Sequence, residues 1–272
     1  MGQEPMVSYT QRIIDIMGDK SVGLNSALDT FFGAAINLST DPASTVQRTA
    51  FLRATDGLTS RFAELSGQLD LVADEATQAM QSNVGQFNSL AGQLALLNGQ
   101  LNREADVKNQ PAELLDRRDL LLRQMAEFAP VKVKTQPNGG VVVSVGTGTS
   151  QSVVVEKTTA RPIGIDTTNG KLNFVLDPYG DATAMEDIST GKLGGLTRVM
   201  KQVLGPAHDN LDALAKVVVD EINQVQRSGI DGYSQQGQDL LTISADVPHV
   251  AAALSLAVKD PLRVATASQF RV

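Results

Sequence analysis

The chain has 272 residues, a net charge of −7 at neutral pH and no cysteine. The lack of cysteine excludes disulfides and thiolate metal sites, and the interspersed charge argues against a nucleic-acid partner, since the most basic-looking stretch, residues 131–134, holds only two lysines. No apolar run approaches the ~18 residues of a membrane-spanning helix, so no membrane partner is predicted. With eight Phe, three Tyr and no Trp, the core must be aliphatic, as in packed long helices.

The first part of the chain, up to about Phe128, is predicted to be helical. Two short amphipathic helices cover residues 9–17 and 26–38. Asp41 and Pro42 then predict the start of a third helix, because aspartate accepts hydrogen bonds from free backbone N–H groups and proline suits the first helical position.

The third helix is predicted to run from Pro42 to about Ala105 and to carry two heptad runs. Their members are spaced alternately by three and four residues. They are Leu58, Phe62, Leu65, Leu69, Val72 and Ala76, followed by Phe87, Leu90, Leu94, Leu97 and Leu101. The two runs are out of phase by four residues, which predicts a stutter between Ala76 and Asn83.

A partner for this long helix is predicted from Ala112 to Phe128, opened by Pro111. Only a short polar link, residues 106–110, separates the two helices. Short links join antiparallel neighbours, so the pair is expected to form a hairpin within a helical bundle.

After this helix the hydrophobic period changes from 3.5 to 2, which predicts strands. The predicted strands are residues 131–135, 141–145, 153–155, 163–167 and 172–176. Turns rich in glycine and asparagine are predicted between them at residues 137–140, 146–149 and 169–170. Residues 131–187 are therefore expected to form a small β domain.

Helix is predicted to return at Leu193 and to run to Leu204. Gly205 and Pro206 predict an interruption, followed by a last helix that ends near Gly229. The apolar stripe of this last helix is again heptad-like and consists of Leu211, Leu214, Val218, Ile222 and Val225.

The predicted fold class is α+β and multidomain: an elongated helical bundle or coiled coil with an inserted small antiparallel β domain. Residues 6–130 plus 190–229 are assigned to the helical bundle domain, and residues 131–187 to the inserted β domain. Residues 230–272 are a mixed segment expected to lead into a missing further part.

The sequence predicts no catalytic residue, no cofactor-binding residue and no metal site. The two histidines, His208 and His249, have no neighbours at ligand spacing, and His208 is expected on the solvated side of its helix. Residues 146–150 lack the lysine of a phosphate-binding loop and are interpreted as a turn. The segment around Asp231 lacks the acidic pattern of a calcium loop and is interpreted as a polar connector.

Several segments, in their order and spacing, resemble the hook-associated protein 1 family of bacterial flagella. They are residues 23–32 (GLNSALDTFF), 37–42 (NLSTDP), 114–121 (LLDRRDLL), 191–196 (GKLGGL) and 211–232, a helix followed by a Gly- and Asp-containing turn. The resemblance covers roughly residues 9–240. The chain looks like the core of such a protein without the terminal segments through which the family polymerises.

The resemblance implies a non-enzymatic structural adaptor that joins hook to filament, outside the cell, after export by the flagellar type III route. It implies four partners: other copies of the chain in the axial assembly, the hook protein, the second junction protein and an export chaperone for the full-length protein. No cofactor is implied.

Two alternatives stay open at this stage. The first is another exported coiled-coil protein, such as a phage-tail or secretion-needle component. The second is an enzyme domain within the β insertion, which is disfavoured because residues 131–187 contain no histidine.

Overall fold

A computed structural model describes residues 4–18, 23–146, 151–167, 172–245 and 247–267. Contacts divide the chain into two compact units, each described by itself below: Met1–Thr10 with Ala73–Val203, and Gln11–Val72 with Leu204–Val272. Helices and small antiparallel sheets make up both, which confirms the α+β fold class. A division by compactness does not test whether residues 131–187 fold as a domain of their own, so the predicted domain limits stay a prediction.

Six α-helices lie within the described residues. They are α1 (Glu4–Gly18), α2 (Leu24–Thr40), α3 (Thr45–Leu101), α4 (Ala112–Phe128), α5 (Gly191–Arg198) and α6 (Gly205–Ser228). The bounds of α4 are those that the sequence predicted. None of the described helices is long and apolar enough to cross a membrane.

The start of α3 differs from the prediction. Asp41 is the residue that follows the end of α2, and the N–H of Ser44 donates to its carbonyl at 3.2 Å, which closes a turn through Pro42. Ser44 caps α3 instead, because its Oγ accepts a hydrogen bond from the N–H of Gln47 at 3.3 Å. Serine and aspartate are about equally good cap residues, so the sequence alone offered two competing starts.

The first heptad run of α3 is buried as predicted. Each of its members is at most 1% exposed: Leu58, Phe62, Leu65, Leu69, Val72 and Ala76. The buried positions then continue through Met80 and Val84. Three successive spacings of four residues, from Val72 to Val84, are the predicted stutter.

The second heptad run is confirmed except at one position. Phe87, Leu94 and Leu101 are fully buried, and Leu97 is 4% exposed. Leu90 is only half-buried, and the neighbouring Ala91 takes the buried position. Hydrophobicity favours leucine over alanine as a seam residue, but alanine fits where neighbouring elements approach closely.

The first unit contains α4, α5 and two antiparallel sheets beside the second part of α3. One sheet has the order β1 (Val131–Thr135), β2 (Val141–Val145), β3 (Ser152–Glu156) and β4 (Thr159–Ala160). The other has the order β5 (Ile163–Asp166), β6 (Asn173–Leu176) and β7 (Thr183–Ala184). The five predicted strands are present, and the two-residue strands β4 and β7 are additions.

Of the predicted turns, the one at residues 137–140 is observed, with Gly139 at φ 82° and a hydrogen bond of 2.7 Å from the N–H of Gln136 to the carbonyl of Gly140. The glycine supplies a backbone conformation that other residues rarely adopt. The turn predicted at residues 169–170 lies outside the described residues, and of the turn predicted at residues 146–149 only Gly146 is described.

The helices α3 and α4 are antiparallel neighbours, as the short link predicted. One cavity is lined by residues of both helices, so α4 runs back along α3. They are Gln86, Ser89 and Leu90 of α3 and Gln124, Glu127 and Phe128 of α4. The link is held by Gln110, whose amide nitrogen donates to the carbonyls of Leu101 (2.6 Å) and Asn138 (3.0 Å). This one side chain satisfies a carbonyl at the end of α3 that has no partner within the helix.

Two asparagines of α3 attach the two sheets to the helix. Asn98 donates to the carbonyl of Val141 (2.8 Å) and accepts from its N–H (3.0 Å). Asn88 makes the same pair of bonds with Ile163, at 2.8 and 2.9 Å. Each amide therefore satisfies both backbone groups of the residue that begins a strand.

The helical backbone of residues 191–228 is not interrupted at Gly205 and Pro206, contrary to the prediction. α5 continues into a π-helical segment, Val199–Leu204, and then into α6, with Pro206 in the first turn. Proline has no N–H to donate, and a π-helical turn already departs from the regular i→i−4 pattern. Proline at the end of such a turn therefore does not break the helix.

The second unit combines α2, the first part of α3, α6 and the C-terminal segment, where β8 (Leu241–Ile243) pairs with β9 (Leu254–Leu256). The predicted face of α6 is only partly correct, because Leu214 and Val225 are 42% and 65% exposed. The buried face consists of His208, Leu211, Ala215, Val219, Asn223 and Gln226. Three of these side chains are polar, which is why hydrophobic periodicity did not find the face.

Candidate functional site

An apolar groove lies between α2 and α6 in the second unit. Its lining is almost entirely aliphatic and aromatic and consists of Leu28, Phe31, Phe32, Ala35, Phe51, Val217, Val218, Ile222 and Val225, with Glu221 and Gln226. Phe31 contacts Phe32 and Phe51, with ring centroids 5.3 Å apart in each pair. The groove explains the apolar stripe of α6: its later members line this surface and do not enter the core.

The groove is open to solvent along both of its sides. Phe32 of α2 is 57% exposed, and Val217 and Val225 of α6 are 56% and 65% exposed. Contiguous exposed apolar surface is uncommon on soluble proteins unless another protein covers it. The groove is therefore a candidate protein interface.

The C-terminal segment is attached to α3 by a buried arginine. Arg48 is 5% exposed, and its guanidinium donates to the carbonyls of Pro42 (3.0 Å) and Val264 (2.5 Å) and to the hydroxyl of Thr266 (2.6 Å). A buried guanidinium is tolerated only when its donors are satisfied. Arg48 therefore fixes where the last described residues lie.

The same segment is attached to α6 by Asn223 and Gln226. The Asn223 amide accepts from the N–H groups of Leu240 and Leu241, both at 2.9 Å, and donates to the carbonyl of Leu241 at 2.8 Å. Gln226 accepts from the N–H of Ala265 at 2.9 Å. Neither residue is predicted from the sequence, because their partners are backbone groups distant in the chain.

Asp231 lies in the loop after α6 and is buried, although the sequence suggested a polar connector. Its side chain is 1% exposed and accepts from the N–H groups of Tyr233 (2.9 Å) and Gln235 (2.8 Å) and from Arg263 (3.2 Å). Burial by itself raises the pKa of this carboxyl, but the two N–H groups and the guanidinium outweigh burial and lower the pKa below its ordinary value. The carboxylate is held by donors and organises the loop.

The two histidines of the chain lie together in the second unit, which corrects the expectation that His208 is solvated. The rings of His208 and His249 are stacked, with centroids 4.0 Å apart and an angle of 16° between planes. His208 is 6% exposed, and its Nδ1 has no hydrogen-bond partner among the described residues. The pKa of His208 is lowered, first by burial and then by the neighbouring His249. Asp70, Asp212 and Asp209 act in the opposite direction but do not outweigh these two effects.

Two carboxylates complete the cluster around the histidines. Oδ1 of Asp70, on α3, lies 3.4 Å from Nε2 of His208 and 3.9 Å from Nε2 of His249. On the other side of His249, Asp212 places its Oδ2 3.0 Å from Nδ1. Asp212 is itself held by the N–H of Ala251, which donates to its Oδ1 at 2.8 Å.

Sequence spacing could not reveal this cluster, because its members come from α3, from α6 and from the segment before the 3-10 turn Ala251–Ala253. A neutral imidazole and a carboxylate can each bind a proton or a cation. The expectation that the chain has no catalytic or cofactor-binding residue stays a prediction.

Comparison with known proteins finds a family match over most of the chain. The family described as "Flagellar hook-associated protein FlgK helical domain" matches residues 10–241. The chain is 28% identical over 241 residues to flagellar hook-associated protein 1 of Salmonella typhimurium, a match that covers 87% of this chain and 44% of the relative. It is 24% identical over 242 residues to the protein of that name in Bacillus subtilis, a match that covers 80% of this chain and 48% of the relative. The chain spans about half the length of these curated relatives.

Among solved structures, the chain resembles the flagellar hook junction protein FlgK from Burkholderia pseudomallei. The TM-score is 0.75 at 22% sequence identity, and the likeness covers 90% of this chain and 46% of that chain. At this identity the likeness concerns the fold. The family match favours the flagellar interpretation over the phage-tail or secretion-needle alternative.

Proposed function

We propose that this chain, which belongs to the family of flagellar hook-associated FlgK helical domains, is part of a structural subunit that joins hook to filament. The observation that carries the proposal is the family match over residues 10–241. The role is one of assembly outside the cell and needs no turnover, so no catalytic residue is assigned.

The proposed partners follow from that role. A junction subunit contacts other copies of itself, the hook protein on one side and the second junction protein on the other, and a chaperone accompanies the full-length protein before export. These contacts require surfaces that are exposed in the isolated chain and covered in the assembly.

The apolar groove is proposed as one such surface, covered by an apolar helix face of a neighbouring subunit in the axial assembly. Two observations support an apolar helix as the occupant. The groove runs between two helices, so a third helix fits into it by ridge-into-groove packing. Its exposed residues are apolar except for Glu221: they are Phe32, Val217 and Val225. These three match the apolar stripe of an amphipathic helix.

A strain that lacks the gene tests the proposed function. Hooks are expected to form, because they assemble before the junction, and filament subunits are expected to be exported. The subunits are expected to appear in the culture medium, because they have no surface on which to polymerise. Electron microscopy of bare hooks and a blot of the medium check this result, and reintroduction of the gene should restore filaments. Normal filaments in the deletion strain would contradict the proposal.

A further inference from the structure

Asp70, His208 and His249 bring three potential metal ligands together from three separate parts of the second unit. Each residue offers one ligand atom: a carboxylate oxygen of Asp70 and a ring nitrogen of each histidine. These three atoms all lie within 4.8 Å of one another. From this arrangement we propose that the three residues bind one divalent first-row transition-metal ion, for which zinc is the representative. The proposal runs against the sequence-based expectation that the chain has no metal site.

The type of ligand selects the class of ion. Imidazole nitrogen suits zinc, cobalt, nickel and copper, whereas magnesium and calcium prefer sites made of oxygen ligands alone. Two histidines and one carboxylate are a known zinc-binding combination, with the fourth position open to water. The Asp70 side chain is 49% exposed, so the ion and a water molecule have access from solvent.

The distances in the cluster are close to those that a bound ion requires. Metal–ligand bonds of about 2.0–2.2 Å in a tetrahedral site place the ligand atoms roughly 3.3 Å apart. His208 Nε2 and Asp70 Oδ1 are 3.4 Å apart, and His249 Nε2 and Asp70 Oδ1 are 3.9 Å apart. Binding requires the two stacked rings to tilt, so that both Nε2 lone pairs point towards one ion beside Asp70.

Asp212 provides an independent observation in favour of a metal site. Its carboxylate contacts Nδ1 of His249 at 3.0 Å, so the Nδ1 proton is directed to Asp212 and Nε2 is left as the ligand atom. A carboxylate in this position behind a metal-binding histidine orients the ring and raises its basicity. The N–H of Ala251 fixes Asp212 in turn, so the support is built into the backbone.

His208 offers a buried ring nitrogen to the ion. Its ring is 6% exposed, and Nε2 lies 3.4 Å from the carboxylate of Asp70. In the neutral tautomer that binds a metal through Nε2, the proton lies on Nδ1, so the ion does not supply the partner that Nδ1 lacks among the described residues. A bound ion would link α3, α6 and the segment that carries His249, and so stabilise the second unit.

The test is zinc binding by the full chain after removal of any polyhistidine tag, measured by equilibrium dialysis and by thermal unfolding. One zinc ion per chain is expected, with a rise in Tm on addition of zinc that a chelator reverses and that excess magnesium does not reproduce. A chain that retains no zinc above background would overturn the proposal.

Four variants separate this site from binding elsewhere on the surface. Asp70→Asn and His249→Ala are expected to weaken zinc binding by at least about tenfold, and Asp212→Asn by roughly ten- to hundredfold. Asp209→Asn removes an exposed charge near His208 that is not a ligand, and it is expected to change zinc affinity far less than Asp70→Asn does. Circular dichroism verifies that each variant is folded. Equal zinc affinities in Asp70→Asn and Asp209→Asn, both folded, would overturn the proposal.

Discussion

Asn98 and Val141 exchange two hydrogen bonds, one in each direction, at 2.8 and 3.0 Å. The side-chain amide of a helix residue thus takes the place that a neighbouring strand would take at the start of β2. The same amide also donates to the carbonyl of Lys157 at 2.9 Å. One buried side chain therefore positions the four-stranded sheet on α3.

Asn98→Ala is expected to destabilise the chain by at least about 2 kcal/mol, because it leaves the two buried backbone groups of Val141 without partners, and each unsatisfied group costs about 1–3 kcal/mol. It also removes the bond to the partly buried carbonyl of Lys157. Urea unfolding followed by circular dichroism measures the change. Gln100→Ala, at an exposed position two residues further along α3, is the control and should change stability little. Equal effects at the two positions would refute the attachment role of Asn98.

Leu94→Asp tests the register of the second heptad run. Leu94 is 0% exposed, so aspartate would replace a buried side chain worth roughly 1.5–3 kcal/mol and would also bury an unpaired carboxylate. The free energy of unfolding should fall by more than that range. Gln93→Asp, at the adjacent exposed position, should be near neutral, and a large loss there would contradict the register.

Asp231→Asn tests the buried carboxylate in the loop after α6. The pKa of Asp231 is lowered on folding, so the charged form contributes stability above the unfolded pKa of about 3.9 and loses it as the pH falls through the folded pKa. The variant is expected to be less stable than the natural chain at neutral pH, and this difference should shrink as the pH falls towards about 3.

Urea unfolding of both chains at several pH values gives the comparison for Asp231. Asp220→Asn is the control, because Asp220 is a surface carboxylate, 62% exposed, paired with Lys216, and such pairs contribute little. A stability difference for Asp231→Asn that does not depend on pH would show that the loop does not need the charge.

Val225→Glu tests the apolar groove as an interface. Val225 is 65% exposed, so the Tm of the isolated variant should be close to that of the unchanged chain. A charge among the apolar residues of the groove should prevent an apolar helix from docking there. Cells that carry the change in the full-length protein should assemble fewer filaments, as electron microscopy would show. Leu96→Glu places the same charge at a residue 73% exposed outside the groove and should leave filaments normal.

The sequence was sufficient to predict the elements whose limits are marked by signals close together in the chain. The bounds of α4 and the strands β1 and β2 agree with the prediction, because Pro111, a change of hydrophobic period and a glycine turn mark them directly. The stutter in α3 was also visible, because it depends only on the spacing of apolar residues along one helix.

The rest depended on contacts between distant residues. The buried face of α6 contains Asn223 and Gln226, whose partners are backbone groups of the C-terminal segment, so hydrophobicity identified only part of the buried face. His208 was placed in solvent for a similar reason: its neighbours Asp70 and His249 lie far away in the chain. No pattern of short spacings indicates such a cluster.

The two asparagine attachments to α3 set a limit on how related chains can vary in length. Asn88 and Asn98 are ten residues apart, so the two sheets are attached about 15 Å apart along the helix axis. A single inserted residue between them would turn one amide by about 100° relative to the other and shift it by about 1.5 Å. One sheet would then lose its attachment. Evolution can substitute the exposed residues of this stretch freely, but an alignment of relatives should show no gap between these two positions.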